Sequence, residues 1–285
     1  MAALLLLALL LSSCVAEDPC DLAATTLPVY TFTQYLCRGT PLQVAQVVTE
    51  NVSCLHDYTL QIGQMRLIQQ ADAVVISGGG LEDFMDDALS GAAGQIDASA
   101  GIALLGGDGH AHHDAHEHHH EHDPHIWLSP DHAAAMATNI CEQLTALYPE
   151  YSHTFSANLT LLHGQLQELK AYGQKKLQQL ACRELITFHD GFAYFALAFD
   201  LTILKSVEEE SGAEASAKEL IELAELIDRH HIPAIFTETN GSVSAAQIIA
   251  AETGVSIFTL DMCMSGSDYF EAMYRNIDTV WEALQ

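Results

Sequence analysis

The sequence predicts an α/β protein with two lobes, each built on a parallel sheet, joined by one long helix. Short β-branched runs alternate with helical stretches of about ten to fifteen residues, which is the pattern of parallel strands connected by helices. The pattern occurs twice, before about residue 148 and after about residue 182. Between them, residues 151–180 contain no proline and repeat leucine near the helical period. This stretch predicts a single helix much longer than the average of about 11–12 residues.

The individual elements follow from the same periodicity. In the first half we predict strands at 44–48 and 74–76, with helical stretches at 65–70 and 81–89 on either side of three glycines, 78–80. In the second half we predict strands at 186–188, 201–204, 234–236 and 255–260, and helices at 192–199, 216–229, 245–253 and 269–284. The predicted divisions are an N-terminal lobe at 14–148, the connecting helix at 149–181 and a C-terminal lobe at 182–285.

Residues 1–13 are predicted to be a signal peptide. The apolar run at 2–11 is too short to cross a bilayer. It leads into Leu11-Ser12-Ser13-Cys14, which resembles the lipobox of bacterial lipoproteins and so implies a lipid anchor on Cys14. No later segment has the apolar length of a membrane span. The protein is therefore expected outside the cytoplasm, attached to a membrane through this anchor.

Export allows disulfides, and six cysteines remain after Cys14. They permit 15 pairings. Local spacing favours Cys37 with Cys54 and Cys141 with Cys182, and it leaves the other pairings open.

The charge balance limits the partners. The 285 residues carry 10 Lys+Arg against 38 Asp+Glu, a formal net charge of −28, together with 16 His. Nucleic acids and anionic lipid surfaces need a basic face, so neither is an expected direct partner. The acidic balance favours a cationic ligand. Hydrophobic residues form 49% of the chain, enough for a large core.

A His-rich loop is predicted at 106–123. It has no apolar residue larger than alanine, so it cannot pack into the core. Its histidines are interleaved with acidic residues: His110, His112, His113, His116, His118, His119, His120 and His122. Neutral imidazole is a common ligand of zinc and copper. The loop therefore predicts transition-metal binding without indicating which metal.

Four other residues are candidates for one rigid metal site. They are His56, His125, His189 and Asp261, which lie at the ends of predicted strands or beside helix starts. A lone histidine after a strand is more often structural. However, ligands of parallel α/β sheets bind at the carboxyl ends of the strands, and two candidates fall in each half. A cleft between the lobes would bring all four together.

The residues around these candidates resemble a known family. The stretches Ser-Cys-Leu-His-Asp-Tyr (53–58), Asp-Pro-His-Ile-Trp-Leu (123–128), Thr-Phe-His-Asp-Gly-Phe-Ala-Tyr-Phe (187–195) and Phe-Thr-Leu-Asp (258–261) are similar to signatures of the zinc and manganese solute receptors of bacterial ABC importers. The resemblance covers nearly the whole mature chain. It departs from the family at Leu55, where proline is common, at Ser129, where aspartate is common, and after Asp261, where Met-Cys-Met replaces Pro-Leu. The last departure places Cys263, a soft donor, near the site.

The resemblance implies that His56, His125, His189 and Asp261 are the metal ligands. Zinc receptors carry histidine at the third position and manganese receptors carry glutamate, and this chain has His189. Three imidazoles and one carboxylate also suit tetrahedral Zn²⁺, whereas Mn²⁺ prefers more oxygen ligands. Selectivity over copper or nickel does not follow from ligand types, because raw affinity follows the Irving–Williams order.

Neighbouring acidic residues have two readings each. Glu238 follows a predicted strand, where it either orients a ligand histidine or caps the next helix. Asp57 and Asp190 directly follow candidate ligands and are expected to cap helices or form local turns.

The expected function is an extracytoplasmic Zn²⁺ receptor, a monomer and not an enzyme, that delivers the ion to an ABC importer permease. The alternatives are an adhesin or metal buffer whose main sink is the His-rich loop, a manganese receptor, or a zinc hydrolase. A hydrolase would leave one zinc position open to water. It would also need a general base, for which Glu238 is the obvious candidate, and the chain lacks a His-Glu-x-x-His motif.

Overall fold

A computed structural model describes residues 20–50, 52, 55, 58–106, 122–208, 216–266 and 268–285. The predicted signal peptide, Cys14, His56, Asp57 and all the loop histidines except His122 lie outside the described residues.

Two parallel sheets form the framework. In the first, β1 (Leu22–Ala24), β2 (Val44–Gln46), β3 (Ala73–Ile76) and β4 (Gln95–Asp97) lie in the order β2-β1-β3-β4. In the second, β5 (Glu184–His189), β6 (Thr202–Glu208), β7 (Ala234–Glu238) and β8 (Ser256–Leu260) lie in the order β6-β5-β7-β8. The predicted fold class is confirmed.

The helices pack on and between the sheets. They are α1 (Leu27–Leu36), α2 (Ile62–Gln70), α3 (Asp86–Leu89), α4 (Pro130–Leu147), α5 (Ser152–Leu177), α6 (Ala193–Ala198), α7 (Ala217–His230), α8 (Ser244–Thr253) and α9 (Tyr269–Leu284). Four elements, β1, α1, β4 and α4, were not predicted from the sequence. Two of these are three-residue strands, too short to show a period. Five of the 18 residues of α4 are alanine, which weakens the apolar signal.

Helix α5 is the predicted long connector, with 26 residues. A single 3-10 turn at Pro149–Tyr151 leads into it. Lys175 and Lys176 lie in its last turn, where their positive charges interact favourably with the negative end of the helix dipole. It packs against α1, α4 and α9. Gly173 lets α5 approach α6 closely, because a Cβ at this position would lie 2.3 Å from the Phe199 ring. The connector is therefore packed against both lobes along its length.

Two hydrophobic clusters form the core. The larger one runs from β1 and α1 through α4 and α5 to α9, so it extends across both lobes. The smaller one lies in the C-terminal lobe between the second sheet and helices α7 and α8, and includes Ile186, Leu223, Ile227 and Ile249. Within the described ranges, no helix is both long and apolar enough to cross a bilayer.

The predicted Cys141–Cys182 disulfide is wrong, because both residues are free thiols. Helix α4 turns Cys141 into the core of the N-terminal lobe, whereas Cys182 precedes β5 and donates its backbone N–H to Leu284. Cys37 is also a free, buried thiol, and burial raises its pKa to about 12. Its expected partner, Cys54, lies outside the described residues.

A buried carboxylate fixes the glycine-rich turn after β3. Glu82 accepts hydrogen bonds from the Thr25 hydroxyl (2.7 Å), the Ser77 N–H (2.8 Å) and the Gly78 N–H (3.0 Å). It thereby links the carboxyl ends of β1 and β3. Burial outweighs these three donors and raises the pKa of Glu82 to about 7.

This shift predicts a pH-dependent stability. Because the folded state raises the Glu82 pKa above its usual 4.5, the native protein binds this proton more tightly than the unfolded chain does. Stability should therefore be lost as the pH rises from about 4.5 to about 7, by about 3 kcal/mol at most. Glu82→Gln removes the titration. The difference in unfolding free energy between wild type and Glu82→Gln should shift by that amount across this range.

Denaturant unfolding of the metal-free protein at several pH values measures the effect. Glu222→Gln, an exposed carboxylate on α7, controls for loss of one negative charge. Parallel stability profiles for wild type and Glu82→Gln would contradict the prediction.

Candidate metal-binding site

Three of the candidate residues lie at one edge of the second sheet. His189 is the last residue of β5, Glu238 is the last residue of β7, and Asp261 directly follows β8. Because the strands are parallel, their carboxyl ends meet at the same edge. His189 and Glu238 are 2% and 4% exposed, so both are enclosed by the cleft.

His125 reaches the cleft from the N-terminal lobe. It directly precedes a 3-10 turn at Ile126–Leu128, after which Ser129 caps α4 by accepting a hydrogen bond from the His132 N–H. The turn is fully buried and His125 itself is 2% exposed. This local packing fixes where the imidazole can point.

The structure brings His125 and His189 together. Their ring centroids are 5.3 Å apart and the ring planes are nearly perpendicular, at 86°. One imidazole comes from each lobe, as the sequence analysis expected for a site in the cleft.

The tautomer of His125 follows from its partner. The Asp123 carboxylate lies 2.8 Å from His125 Nδ1, and an ionised carboxylate can only accept a hydrogen bond. When the ring is neutral, Nδ1 therefore carries the hydrogen and Nε2 holds the lone pair. Nε2 is buried and has no hydrogen-bond partner among the described residues. A buried nitrogen with a free lone pair fits a metal ligand.

His189 also lies beside a carboxylate, that of Glu238. Glu238 Oε2 lies 3.3 Å from His189 Nδ1. Glu238 does not cap the following helix, because the N-cap of α8 is Val243 and has no side-chain cap bond. A turn wraps closely around this carboxylate, since a Cβ at Gly241 would lie 2.4 Å from Glu238 Cγ. Of the two readings left open by the sequence, capping of the next helix is therefore wrong, and orientation of His189 stays a prediction.

Asp261 is held by several groups of its own. Its Oδ1 accepts the Cys263 N–H at 2.8 Å, and its Oδ2 lies 3.1 Å from Arg275. Asn276 donates its amide to the Asp261 carbonyl at 2.7 Å. Asp261 also lines a cavity of about 120 Å³ with Val52, Thr239, Asn240, Met262, Ser265 and Gly266. No group of three potential ligands is assembled among the described residues, so the structure does not join Asp261 to the two histidines.

Three further residues singled out in the sequence are His56, His122 and Asp190. His56 lies outside the described residues. Of the residues before it, Val52 donates its N–H to Ser265 Oγ at 3.2 Å. His122 is exposed and forms a β-bridge with Gly106 at the base of the His-rich loop. Asp190 accepts a hydrogen bond from Ser206 and does not cap α6, whose N-cap is Phe192.

Gly191 lies against both rings and was not predicted from the sequence to belong to the site. A Cβ at this position would be 2.9 Å from His189 Cδ2 and 3.1 Å from His125 Cε1. It would also be 2.5 Å from Met262 Cε. The glycine therefore provides the space in which the two imidazoles meet. The Phe-His-Asp-Gly stretch contained this residue, but nothing in its spacing indicated the contact.

A set of hydrogen bonds joins the lobes beside the site. The Trp127 indole donates to the Met262 carbonyl at 2.7 Å, and Tyr269 Oη donates to the Trp127 carbonyl at 2.6 Å. The Leu27 N–H donates to the Met264 carbonyl at 3.0 Å. The segment that follows Asp261 is thus bonded to the N-terminal lobe.

Two parallel-sheet lobes joined by a packed helix, with paired histidines where the lobes meet, are the features of a two-lobed solute-binding domain. Residues 22–283 match the family model described as ZnuA, the periplasmic component A of zinc-uptake complexes. The chain belongs to this family. The family is one of solute-binding receptors and not of enzymes, which confirms the prediction that the chain is not an enzyme.

Known relatives support the assignment. The chain is 30% identical to the zinc-binding lipoprotein AdcA of Streptococcus pneumoniae strain R6, over 92% of this chain and 55% of the relative. The chain therefore spans about half the length of the curated AdcA proteins that it matches.

Solved structures share the whole fold. The match to a crystal structure of ZnuA has 29% sequence identity and a TM-score of 0.82, and it covers 94% of this chain and 100% of the ZnuA chain. The Zn(II)-bound ZnuA-like domain of S. pneumoniae AdcA is 27% identical, covers 92% of this chain and 98% of its own, and has a TM-score of 0.76.

Gly191→Ala should weaken metal binding. The added methyl group would push the two imidazoles apart, and we expect the affinity to fall about tenfold, the scale typical of disturbed ligand support. Competition with a chromophoric zinc chelator measures the affinity.

Gly164→Ala is the matched control, because Gly164 is exposed on α5 and a Cβ there meets open space. It should leave the affinity unchanged and raise stability by up to about 1 kcal/mol. Equal affinity in both variants would show that the space at Gly191 is not needed.

Proposed function

We propose that this protein is an extracytoplasmic zinc receptor that binds Zn²⁺ in the cleft and delivers it to an ABC importer permease. The observation that carries the proposal is the pair of buried imidazoles, one from each lobe, each with a carboxylate at its Nδ1. Such carboxylate–histidine pairs orient imidazole ligands of zinc. Membership of the zinc-uptake family supports the same conclusion.

The proposed ligands are His56, His125, His189 and Asp261. Three neutral imidazoles and one carboxylate form the four-coordinate N/O set that Zn²⁺ accepts, whereas Mn²⁺ favours more oxygen ligands. His189 supports zinc in particular, because it places a third nitrogen donor at the end of β5. Glu238 then acts behind His189 and does not bind the ion itself.

The proposed location follows from the N-terminal sequence and from the relatives. Cys14 would carry the lipid anchor, which keeps a monomeric receptor beside the permease. The naming of pneumococcal AdcA as a lipoprotein supports this placement.

Release of the ion would need only local movement. Helix α5 packs on both lobes, and the hydrogen bonds of Trp127 and Leu27 hold the segment after Asp261 to the N-terminal lobe. A wide hinge opening would break these contacts. We therefore propose that the permease draws the ligands apart locally at the mouth of the cleft.

The His-rich loop would serve as an auxiliary site. Its eight histidines would bind zinc weakly and raise the local supply to the cleft. This role separates the receptor from a metal buffer, in which the loop would be the main sink.

Removal of a proposed ligand should distinguish the cleft site from the His-rich loop. In His56→Ala and His125→Ala the tight zinc site should weaken by more than about 100-fold, because a ligand is lost and not only its support. Deletion of residues 108–122 should leave the tight site intact and remove only weak, multi-ion binding. Calorimetry and elemental analysis of the mature protein measure both effects.

His153→Ala on α5, in the first turn and away from the cleft, is the matched control for loss of one histidine. Unchanged tight binding in His56→Ala and His125→Ala would overturn the receptor assignment. Loss of all binding on loop deletion would favour the buffer.

A further inference from the structure

We infer that Asp123 is a positioning residue that sets the tautomer and direction of His125, and that Tyr194 holds Asp123 in place from the other lobe. The inference rests on the proposed function, because it concerns how one proposed ligand is prepared. Neither Asp123 nor Tyr194 is a metal ligand in this scheme.

Asp123 is bound through one carboxylate oxygen and through both its backbone N–H and its carbonyl. Its carboxylate oxygen Oδ1 accepts both the His125 backbone N–H at 2.9 Å and the Nδ1–H at 2.8 Å. Its own N–H donates to the Leu105 carbonyl at 2.9 Å. Its carbonyl accepts the Tyr194 hydroxyl at 3.0 Å. The carboxylate is mostly enclosed, with 14% of the side chain exposed.

Tyr194 completes this arrangement from the C-terminal lobe. It lies in the first turn of α6, five residues after His189, and is 1% exposed. Its hydroxyl oxygen also accepts the Leu105 N–H at 2.8 Å. One hydroxyl therefore bonds both chain segments at the base of the His-rich loop. The helix that follows His189 is thereby tied to the residue that orients His125.

The chemical consequence concerns which ring nitrogen is available. A neutral imidazole has one N–H and one lone pair, and in water it exchanges between the two tautomers. With Asp123 as an acceptor, the hydrogen stays on Nδ1 and Nε2 is ready to bind. Without Asp123, part of the population would carry the hydrogen on Nε2 and would have to move it before binding. The negative charge of Asp123 also makes the ring a stronger donor to a cation.

The test compares Asp123→Ala with Asp123→Asn. The alanine variant loses the acceptor, and its zinc affinity should fall about 10- to 100-fold. The asparagine variant keeps an acceptor oxygen without the charge, so its affinity should lie between those of Asp123→Ala and the wild type. Chelator competition at pH 7.4 gives the affinities.

A spectroscopic readout separates positioning from general damage. In ¹⁵N-histidine-labelled, metal-free protein, the His125 nitrogen shifts should report the Nδ1–H form in the wild type. The Nε2–H form should appear in Asp123→Ala, with partial recovery in Asp123→Asn. Thermal unfolding without metal checks that each variant is folded. Asp72→Ala is the matched control. Asp72 also accepts a tyrosine hydroxyl, that of Tyr148, but it lies at the amino end of β3 and, among the described residues, forms no hydrogen bond with His125 or Tyr194.

Tyr194→Phe tests the support from the other lobe. It removes both hydroxyl bonds and keeps the ring, so affinity should fall several-fold with the same drift toward the Nε2–H form. An Asp123→Ala affinity within about threefold of the wild type would overturn the inference. A full loss of zinc affinity in an Asp123→Ala protein that keeps the Nδ1–H form would also overturn it. His125→Ala separates this failure from that of the proposed function, because unchanged binding in His125→Ala would refute the receptor itself.

Discussion

The buried indole of Trp127 is the contact on which the cleft depends. Its Nε1 donates to the Met262 carbonyl, and its own carbonyl accepts the Tyr269 hydroxyl. All three side chains are at most 2% exposed, so breaking either bond would leave a buried polar group unpaired, at a cost of about 1–3 kcal/mol. His125 lies two residues before Trp127 and Asp261 lies one residue before Met262. One interaction therefore fixes the relative position of a proposed ligand from each lobe.

The hydrogen bonds around Trp127 attach part of the C-terminal lobe to the N-terminal lobe. The sheet β5–β8 belongs to the C-terminal lobe, but the chain after Asp261 is bonded to the N-terminal lobe, and α9 packs on α5 and α1. The larger core is therefore continuous from one lobe to the other. The second cluster, beneath α7 and α8, lies apart from these connections. In the proposed receptor, the mouth of the cleft would therefore change without separation of the two sheets.

Much of the site could be predicted because strand direction carries the information. Once β5, β7 and β8 are read as parallel strands, His189, Glu238 and Asp261 must lie at one edge of the sheet. The contacts between lobes could not be predicted in this way. Gly191 against the two imidazoles and Tyr194 on the Asp123 carbonyl depend on the packing of separate segments, which leaves no periodic trace. The same limit explains the incorrect Cys141–Cys182 pair, because spacing along the chain does not show that α4 buries one thiol.

The proposed ligands differ in how firmly they are held, and this difference suits capture and release. His125 and His189 are buried, and each has a carboxylate near Nδ1. The Asp261 side chain is 20% exposed and shares its carboxylate with Arg275, whose side chain is 56% exposed. An ion pair this accessible contributes about 0–1 kcal/mol, so a cation can replace the guanidinium at little cost. In the proposed receptor, the imidazoles would provide a prepared pair of donors, while Asp261 would exchange between the metal and Arg275. Arg275 would also stabilise the carboxylate as the ion leaves, so release need not leave a bare charge beside the cleft.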